Sequence, residues 1–523
     1  MKKHVLHWRS LAAVALAGAV LLSGCGGSAS SNAASASSDS QKIFTFGDTT
    51  FNAENGESDI NPHSEYSGWA CIRYGVGETL FRYSDSMELE PWLAAGYEQT
   101  DENTWVITLR DNVTFSSGRT MDAASVKECL EDLIAENERA NGDLKLKDMQ
   151  ADGQTLTLTT EEPVPALMNY LSDPYGCIID MEAGITDEGI VAGTGPYIAT
   201  ELETDHGLTL VKNENYWDGT PSLDTIYVKT ISDGDTLTMA LQSGELDAAY
   251  GLPYSSLPLF DNDSYTISSC ETSRSFFAQM NYENEILQDD RVREAIAMSI
   301  DKENFTSVLL DGNGTAAVGP FPSAFSFGDS TVTADAYDPE QAAALLKEAG
   351  WTDTDGDGYV DKDGKKLTLR WLTYPSRQEL PLLAESAQDS LKKIGIDLEI
   401  NCTASHLDFL ANGQWDIYAS AFVCAPTGDP EYFFTTHCLD GSSKNRGNYH
   451  SDQLEDLEKK MAASFDPEER AELATQMTQV ILDDHGFLFA SHLKMSMVAR
   501  EGVSGLTAHA CDYYEITKDL KKE

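Results

Sequence analysis

Short stretches of alternating apolar and polar residues predict β-strands at several points along the chain. Four of them lie at residues 105–109, 155–159, 208–211 and 367–371. Because successive side chains of a strand point to opposite faces, this period-two pattern favours strands with one buried face. Asp152-Gly153, just before the second stretch, predicts a hairpin turn.

Other segments repeat their apolar residues every three or four positions, which predicts helices packed along one face. One such segment begins with a capping aspartate and a proline, Asp338-Pro339, and ends at Gly350. Asp466-Pro467 predicts another helix start of the same kind. Residues 380–393 and 292–300 show two further helical patterns. Strands and helices alternate along the chain, so the pattern predicts an α/β protein.

The first 41 residues follow a different pattern. Basic residues come first, then an apolar run at 11–22, and then Leu22-Ser23-Gly24-Cys25. The run is too short to cross a bilayer as a helix and is typical of a signal peptide. Small residues before a cysteine resemble a bacterial lipobox. We therefore expect residues 1–25 to be a lipoprotein signal peptide with Cys25 lipidated; the alternative is an ordinary signal peptide with a chance cysteine.

Residues 26–41 are small or polar throughout and predict a flexible tether. The whole chain has 523 residues, enough for two or more lobes, and a formal net charge of −50. A surface this acidic repels nucleic-acid phosphates, which argues against binding to DNA or RNA. It would attract cationic ligands or simply keep an exported protein soluble. Eight cysteines follow Cys25 without a CxxC pair, which argues against a zinc ribbon and leaves four disulfides or none.

Common catalytic and phosphate-binding motifs are missing from the sequence. GxSxG, HExxH and GxxxxGK[ST] do not occur, and Pro196 follows Gly193-Thr194-Gly195 where a nucleotide-binding helix would need free N–H groups. We therefore predict a protein that is not an enzyme, with no catalytic residues, no cofactor and no metal ligands. A secreted hydrolase with an unrecognised catalytic set is the runner-up.

Residues 350–364 form an acidic, glycine-rich segment between a predicted helix and a predicted strand. Asp353, Asp355, Asp357 and Asp361 have the spacing of the first ligands of a calcium loop. Gly364, however, occupies the position of the bidentate glutamate, and no second loop accompanies the first. An acidic turn is the favoured interpretation, with calcium binding as the alternative.

A series of short motifs runs through nearly the whole chain after the tether, from about residue 44 to residue 506. The motifs include Asn61-Pro62-His63, Glu78-Thr79-Leu80, Pro91-Trp92-Leu93-Ala94, Gly193-Thr194-Gly195-Pro196-Tyr197, Tyr216-Trp217, Ser243-Gly244-Glu245-Leu246-Asp247, Asp290-Arg291, Tyr337-Asp338-Pro339 and Gly428-Asp429-Pro430. Each motif alone is weak, but this order after a lipobox is specific. Together they resemble the large solute-binding proteins of bacterial ABC importers for oligopeptides, dipeptides and nickel, known as family 5.

The resemblance implies a two-lobed fold of the periplasmic-binding-protein type (type II, large class), with the ligand between the lobes. We expect lobe one at residues 42–270 plus 488–523, with an extra subdomain at about 85–190, and lobe two at residues 271–487. Two chain crossings, near residues 270–274 and 485–492, would act as hinges. Closure around a ligand would let an importer distinguish loaded from empty protein by shape.

The implied function is that of the extracytoplasmic solute-binding component of an ABC import system. Its partners are then the small ligand, the permease subunits and the associated ATPase. Lipidated Cys25 would hold the protein, expected as a monomer, at the outer face of the cytoplasmic membrane or facing the periplasm. A metal chelate, a peptide and a related small solute all stay open as ligands.

Residues 422–430 bear on that choice. In the peptide-binding relatives, an aspartate shortly before the Asp-Pro pair neutralises the peptide's amino terminus, and Pro426 takes its place here. A buried ammonium without a carboxylate is costly, and the Ala-Pro pair is similar instead to the nickel-binding branch. That branch also uses a tryptophan just before this pair and an arginine in the middle of lobe one. In this chain Val423-Cys424 precede the pair, and no arginine lies between Arg139 and Arg274.

Candidate ligand contacts follow from positions relative to these motifs and from the ends of predicted lobe-two strands, a usual ligand-binding edge in α/β proteins. They are Glu65, Tyr66, Trp69, Tyr374, Arg377, Phe422, Val423, Asp429, Tyr432 and His437. The alternatives are core packing for Trp69 and Tyr432, and a surface charge for Arg377. His437 is a candidate for reaching a metal chelate. An aromatic wall with one acid and one base suits a small zwitterion or an organic metal chelate.

Overall fold

The computed structural model of the chain describes residues 42–51, 59–64, 67–84, 87–203 and 207–523. The predicted signal peptide, Cys25 and the tether lie outside these residues, and so do Glu65 and Tyr66. Strands and helices alternate through the described part, which confirms the predicted α/β class. Within these ranges, no helix combines the length and the apolar character that crossing a membrane requires.

The strands of the described part are numbered in chain order. They are β1 Ile43–Asp48, β2 Phe81–Tyr83, β3 Leu89–Pro91, β4 Ala94–Asp101, β5 Thr104–Leu109, β6 Leu146–Asp152, β7 Thr155–Thr160, β8 Tyr197–Glu203, β9 Gly207–Lys212, β10 Thr225–Thr230, β11 Ala248–Tyr250, β12 Tyr265–Met280, β13 Gly314–Ala316, β14 Asp361–Lys362, β15 Lys365–Lys366, β16 Thr368–Thr373, β17 Asp397–Cys402, β18 Ile417–Val423, β19 Phe487–Arg500, β20 Val503–Ser504 and β21 Lys521–Lys522.

The α-helices of the described part alternate with these strands. They are α1 Gly68–Arg73, α2 Ala123–Glu136, α3 Glu138–Leu144, α4 Leu167–Tyr170, α5 Gly234–Ser243, α6 Asp290–Ser299, α7 Lys302–Asn304, α8 Pro339–Glu348, α9 Glu379–Lys393, α10 His406–Ala411, α11 Glu431–His437, α12 Asp452–Met461 and α13 Pro467–Asp483.

Helix starts follow the capping chemistry that the sequence predicts. Asp338 accepts a hydrogen bond from the backbone N–H of Gln341 at 2.9 Å, and α8 begins at the following proline. Asp466 caps α13 in the same way through the N–H of Glu468. These side chains satisfy backbone donors that the first helical turn leaves without a partner, so the aspartates set where both helices begin.

A large mixed sheet forms the centre of the molecule, with strand order β17-β16-β18-β12-β19-β11-β1-β10-β9-β8 and β13 paired to β19. At one end, β16 runs parallel to both β17 and β18. Towards the other end, β1 runs parallel to both β10 and β11. The antiparallel pair β12 and β19 lies between these two parallel groups and joins them into one sheet.

β12 and β19 are the longest strands, with 16 and 14 residues. Their pairing is interrupted by a register shift between Glu271 and Ser275. Before the shift, β12 pairs only with the last part of β19; after it, β12 also pairs with β18. A register shift bends a strand pair locally, so the two parallel groups are joined through a bend rather than a flat ladder.

A second, smaller sheet has the antiparallel order β4-β5-β7-β6. Its strands include the predicted segments 105–109 and 155–159, which pair with each other through Trp105 and Leu158. Gly153 has a φ of +58° between β6 and β7, where Asp152 faces Thr155 across the predicted hairpin. The positive φ is a conformation that glycine adopts without strain, so the Asp-Gly pair suits this turn.

The apolar core follows the division of the sheet. One cluster gathers buried residues from 44–228, 248–250 and 495–520. A second gathers other residues from 237–421 and 488–498, and a third lies around Phe277, Phe433 and Phe487. The eight cysteines from Cys71 to Cys511 are free thiols. Burial raises the pKa of the Cys129 thiol to about 12, which keeps it protonated and unreactive at neutral pH.

The acidic segment after α8 forms a turn held by its own carboxylates. Asp353 accepts hydrogen bonds from the backbone N–H groups of Gly356 and Gly358, and Asp361 accepts from both the N–H and the hydroxyl of Thr354. Carboxylate oxygens of Asp353, Asp355 and Asp361 lie within 4.8 Å of one another. The segment therefore forms the predicted turn, and calcium binding by the same carboxylates stays the alternative.

Candidate ligand-binding cleft

A cavity of about 1130 Å³ lies against the middle of the large sheet. Thr49 follows β1, Gly251 follows β11, Tyr374 follows β16 and Val423 ends β18, and all four line the cavity. Residues 493–496 of β19 also border it. The cavity thus lies at the carboxyl ends of strands from both parallel groups, the edge at which α/β sheets most often bind ligands.

Six of the predicted contact residues line this cavity. They are Trp69, Tyr374, Arg377, Phe422, Val423 and Tyr432. Pro426, which occupies the place of the peptide binders' aspartate, lines it as well. Asp429 and His437 are not among the lining residues, and Glu65 and Tyr66 lie outside the described residues. Residues far apart in the sequence are therefore brought together here.

Aromatic rings form much of the cavity wall. Trp69 of α1 lies edge-on to Phe51, with ring centroids 6.2 Å apart, and the guanidinium of Arg73 lies 4.3 Å from the Trp69 ring. Among the described residues, the buried indole N–H of Trp69 has no hydrogen-bond partner. A buried donor without a partner costs free energy, so the indole N–H is an unsatisfied polar group behind the aromatic wall.

Arg73 is held by a buried group of carboxylates. It lies 3.0 Å from Asp512, 3.2 Å from Glu515 and 3.6 Å from Asp48. Burial opposes the charged form of Arg73, but these three acids outweigh it and raise its pKa. Burial raises the pKa of Glu515, and the neighbouring Arg73 opposes the rise. Arg73 is thus surrounded by a buried group of acids, of which Asp512 makes the shortest contact.

Two more arginines enter the cavity with carboxylate partners. Arg274 of β12 lies 2.9 Å from the second oxygen of Asp512, so one carboxylate joins two guanidinium groups. Arg139 of α3 contacts both oxygens of Asp173 at 2.8 Å. Such two-point contacts fix the plane of a guanidinium group. Both arginines are therefore oriented by the protein itself.

Most of the cavity's positive charge was missed by the sequence analysis. Only Arg377 was predicted, whereas the cavity is also lined by Arg73, Arg139, Arg274, Lys444, Arg446 and Lys494. The predicted picture of one acid and one base is therefore wrong for the described wall. These six residues lie outside the motifs from which the candidate contacts were placed. The sequence signal for them was that lysines and arginines are scarce in so acidic a chain.

Asp429 of the Gly-Asp-Pro motif contacts another part of the chain. Its two oxygens accept hydrogen bonds from Arg470 of α13 at 2.6 and 2.9 Å, and Arg470 also contacts Glu431 at 2.6 Å. Arg470 and Asp429 are both buried. The motif therefore anchors the start of α11 to α13, and its aspartate is already engaged.

His437 lies in an aromatic cluster behind the cavity wall. Its ring stacks on Phe433 at 5.2 Å and meets the edges of Phe277 and Phe422 at 5.4 and 4.7 Å. Burial lowers the pKa of His437 to about 3, and the positive charge of Lys444 adds to the effect. The imidazole is therefore neutral and packed at any physiological pH.

Residues 88–445 match the family model of the bacterial extracellular solute-binding proteins, family 5 (middle part). The chain belongs to this family. It is 27% identical over 412 residues to the nickel-binding protein NikA of Staphylococcus aureus, which covers 78% of this chain and 81% of that protein.

Solved structures of the family share the fold of this family 5 protein. NikA of Staphylococcus aureus in complex with Ni(L-His)2 superimposes with a TM-score of 0.80 at 24% identity, over 92% of this chain and all of the other. AppA of Bacillus subtilis in complex with a nonapeptide gives a TM-score of 0.77 at 21% identity, over 92% of this chain and 99% of the other. The predicted two-lobed periplasmic-binding-protein fold is thereby confirmed. Membership of family 5 makes the protein the solute-binding component of an ABC import system.

Several family motifs meet at one buried acid. Glu78 accepts hydrogen bonds from Thr194 and Trp217 at 2.8 Å and from Tyr216 at 2.6 Å. Burial raises the pKa of Glu78 to about 7, against the lowering effect of its three donors. Glu78 is fully buried and does not line the cavity. The motifs that identify the family are thus partly structural, because they hold β2, β8 and the segment after β9 together.

A serine, a histidine and an aspartate are linked in space like a hydrolase triad. Ser275 Oγ lies 2.7 Å from Nδ1 of His492, whose Nε2 lies 2.9 Å from Asp329. However, Ser275 and His492 are completely buried, and the Ser275 hydroxyl donates to the carbonyl of Pro320. A nucleophile has to meet its substrate. This set joins β12 to β19 at the register shift and lies outside the cavity lining.

Proposed function

We propose that the protein captures a small solute in the cavity, between lobe one at residues 42–270 plus 488–523 and lobe two at residues 271–487, and delivers it to a permease. The observation that carries this proposal is the composition of the cavity wall. Trp69 and Tyr250 come from the first of these regions, and Arg377 and Phe422 come from the second. A ligand between them gains contacts from both regions only when the cleft is closed.

Hinges near residues 270–274 and 485–492 are part of this proposal. The register shift between Glu271 and Ser275 interrupts the ladder of β12 and β19 in the first of these segments. Interrupted pairing lets a strand pair bend at lower cost than an unbroken ladder. When the cleft opens, β12 and β19 would therefore bend at this register shift. The strands on either side of it would keep their pairing.

The first candidate for the ligand is a metal chelate or a related small solute. The second candidate is a peptide. Relatives of both kinds are known, since NikA is a nickel-binding protein and AppA was solved with a nonapeptide. Pro426 lines the cavity and has no charge to neutralise an amino terminus. Free dipeptides should therefore bind poorly, because a buried ammonium without a carboxylate is costly.

Ligand binding without turnover is testable by thermal unfolding. At a ligand concentration 100 times the Kd, the fold should be stabilised by about 2.7 kcal/mol, which raises the melting temperature. The solute to test first is whatever mass spectrometry detects in the denatured, freshly purified protein, followed by dipeptides, tripeptides and nickel chelates. Recovery of the ligand unchanged supports a binding protein. A cleaved product formed above the background rate would favour the hydrolase instead.

Lipid anchoring belongs to the proposed function as well. The lipobox supports retention of the protein at the outer face of the cytoplasmic membrane through Cys25, with residues 26–41 as the tether. Cys25→Ala should shift the protein from the membrane fraction to the medium, whereas Ser28→Ala in the tether should leave it in place. A Cys25→Ala protein that stays in the membrane fraction would show that something else anchors it.

A further inference from the structure

Positive charge is concentrated in the cavity of a strongly acidic protein. The whole chain has 36 lysines and arginines against 86 aspartates and glutamates. Among the described residues, the cavity is lined by seven cationic side chains and only two carboxylates. The cations are Arg73, Arg139, Arg274, Arg377, Lys444, Arg446 and Lys494, and the carboxylates are Asp173 and Glu379. The ratio in the cavity is the reverse of that in the chain.

Both lining carboxylates are already engaged. Asp173 is held at both oxygens by Arg139 at 2.8 Å. Glu379 is 4% exposed and accepts a hydrogen bond from the hydroxyl of Tyr254. The charge of Asp173 is thus balanced by Arg139, and the Glu379 carboxylate is almost completely enclosed by protein. The described wall therefore offers a cationic or zwitterionic ligand little compensation for its buried positive charge.

One group of cations converges at Asp512. Arg73 and Arg274 contact its two oxygens at 3.0 and 2.9 Å, and Arg377 is near enough to act on it electrostatically. Burial opposes ionisation of Asp512, but these three arginines outweigh it and lower its pKa. The described part also leaves the buried Nε of Arg274 without a hydrogen-bond partner. Asp512 therefore serves two guanidinium groups at this end of the cavity, while Arg73 is also in contact with Asp48 and Glu515.

A second group of cations lies along another part of the wall. The ammonium of Lys444 is 6.0 Å from the ring of Phe422. Arg446 lies in the same loop, and its charge acts on both His406 and His437, whose pKa values burial and this charge lower. Within the described ranges, no carboxylate lies at salt-bridge distance from Arg446. Arg446 therefore gives this part of the wall a positive charge that no described carboxylate neutralises by direct contact.

We propose that the cavity selects a small solute that carries at least two carboxylates or equivalent oxyanion groups, one facing each group of cations. The inference rests on the proposed function and narrows its ligand class. An anion placed here would receive charge-assisted hydrogen bonds, which are stronger than neutral ones. The free acid and its metal chelate share this chemistry, so the experiment has to separate them.

The experiment measures binding by calorimetry with probes that match in size but differ in charge. The probes are propane-1,2,3-tricarboxylate alone, the same acid with one equivalent of Ni²⁺, its neutral triamide, and the tripeptides Glu-Gly-Glu, Gln-Gly-Gln and Lys-Gly-Lys. We expect the acids to bind at least tenfold more tightly than the amides, and their affinity to fall as salt screens the charges. The arm with Ni²⁺ shows whether free acid or chelate is preferred.

Variants of the second group of cations sharpen the test. Arg446→Gln and Lys444→Gln should each weaken binding of the tightest acid about tenfold or more, because each removes a charge that the ligand faces. Lys459→Gln removes the same charge from the exposed face of α12 and should leave the affinity unchanged. Unchanged melting temperatures would show that the variants still fold.

Equal binding of acid and triamide, unchanged affinity in both cavity variants, or binding of no acid at all would each overturn the inference. The proposed function is judged separately, by whether a co-purifying solute raises the melting temperature. A neutral or cationic solute that does so would leave the proposed function standing and show that the cationic wall does not select the ligand.

Discussion

Glu78 and the cavity are two polar regions that differ in how the protein neutralises their polar groups. Glu78 is completely buried, and three neutral donors satisfy its oxygens. In the cavity, cationic side chains outnumber carboxylates, and the indole N–H of Trp69 lacks a partner in the described structure. A satisfied buried network stabilises one conformation, whereas a surplus of cationic side chains on a cavity wall favours binding of an anionic ligand. Removal of a side chain should therefore affect folding in the first region and binding in the second.

Glu78→Ala should give the largest effect on stability. It leaves the hydroxyls of Thr194 and Tyr216 and the indole N–H of Trp217 without their acceptor, and it opens a cavity. We expect a loss of about 3–5 kcal/mol in the free energy of unfolding, measured by urea denaturation. Glu90→Ala on the half-exposed β3 is the control and should change stability by less than about 0.5 kcal/mol. A Glu78→Ala loss below about 1 kcal/mol would show that the network is not structural.

Glu78 also predicts a pH dependence. Its pKa is about 7 in the fold against an ordinary value of 4.5, so the folded state binds the proton more tightly than the unfolded state. This contribution is complete below pH 4.5 and is lost as the pH rises through 7. It amounts to about 3 kcal/mol at most. Melting temperatures from about pH 4.5 to about pH 8 should therefore fall less steeply in Glu78→Gln than in the wild type; parallel curves would contradict the shift.

Arg377→Gln should weaken ligand binding and leave the stability of the fold nearly unchanged, the reverse of Glu78→Ala. The side chain is partly exposed at the cavity wall, so its replacement should change the free energy of unfolding by no more than about 0.5 kcal/mol. Loss of one charge facing the ligand should weaken binding about tenfold. The control is Arg291→Gln, whose side chain is exposed on α6 and which should bind normally. Calorimetry with the co-purifying solute decides between loss and retention of affinity.

His437→Phe should have the smallest effect. The imidazole is neutral and stacks among Phe277, Phe422 and Phe433, so a phenyl ring of similar size should fit with a change below about 1.5 kcal/mol. Ligand affinity, with or without a metal ion, should stay within about twofold of the wild type. A large loss of affinity for a metal chelate alone would restore His437 as a ligand contact. His450→Phe, at an exposed site, serves as the control.

The candidate site was predictable where a motif or a strand end marked it. Trp69 follows the Asn-Pro-His motif, Tyr374 and Arg377 follow a strand that the sequence predicts, and Phe422 and Tyr432 flank the Asp-Pro pair. All of these line the cavity. Local patterns succeed here because the ends of parallel strands meet at one edge of a sheet, whatever the rest of the chain does.

Asp429 shows where local patterns stop being informative. The Gly-Asp-Pro motif is visible in the sequence, but the partner of its aspartate is Arg470, which lies on another helix. A carboxylate in a ligand site and one in a buried ion pair look the same in sequence. Only the packing of α13 against the start of α11 assigns this aspartate to the ion pair.

The sequence by itself determined the α/β class, the main helix starts, the membership of the family and the strand ends that border the cavity. These features depend on side-chain periodicity, on capping residues and on motifs a few residues long. The charge of the cavity was decided only by the tertiary structure. Its cations lie at positions from 73 to 494, and they meet because β12 and β19 bring strands from both ends of the sheet together. Coulomb interactions act between side chains that are close in space, and sequence separation carries no information about that distance.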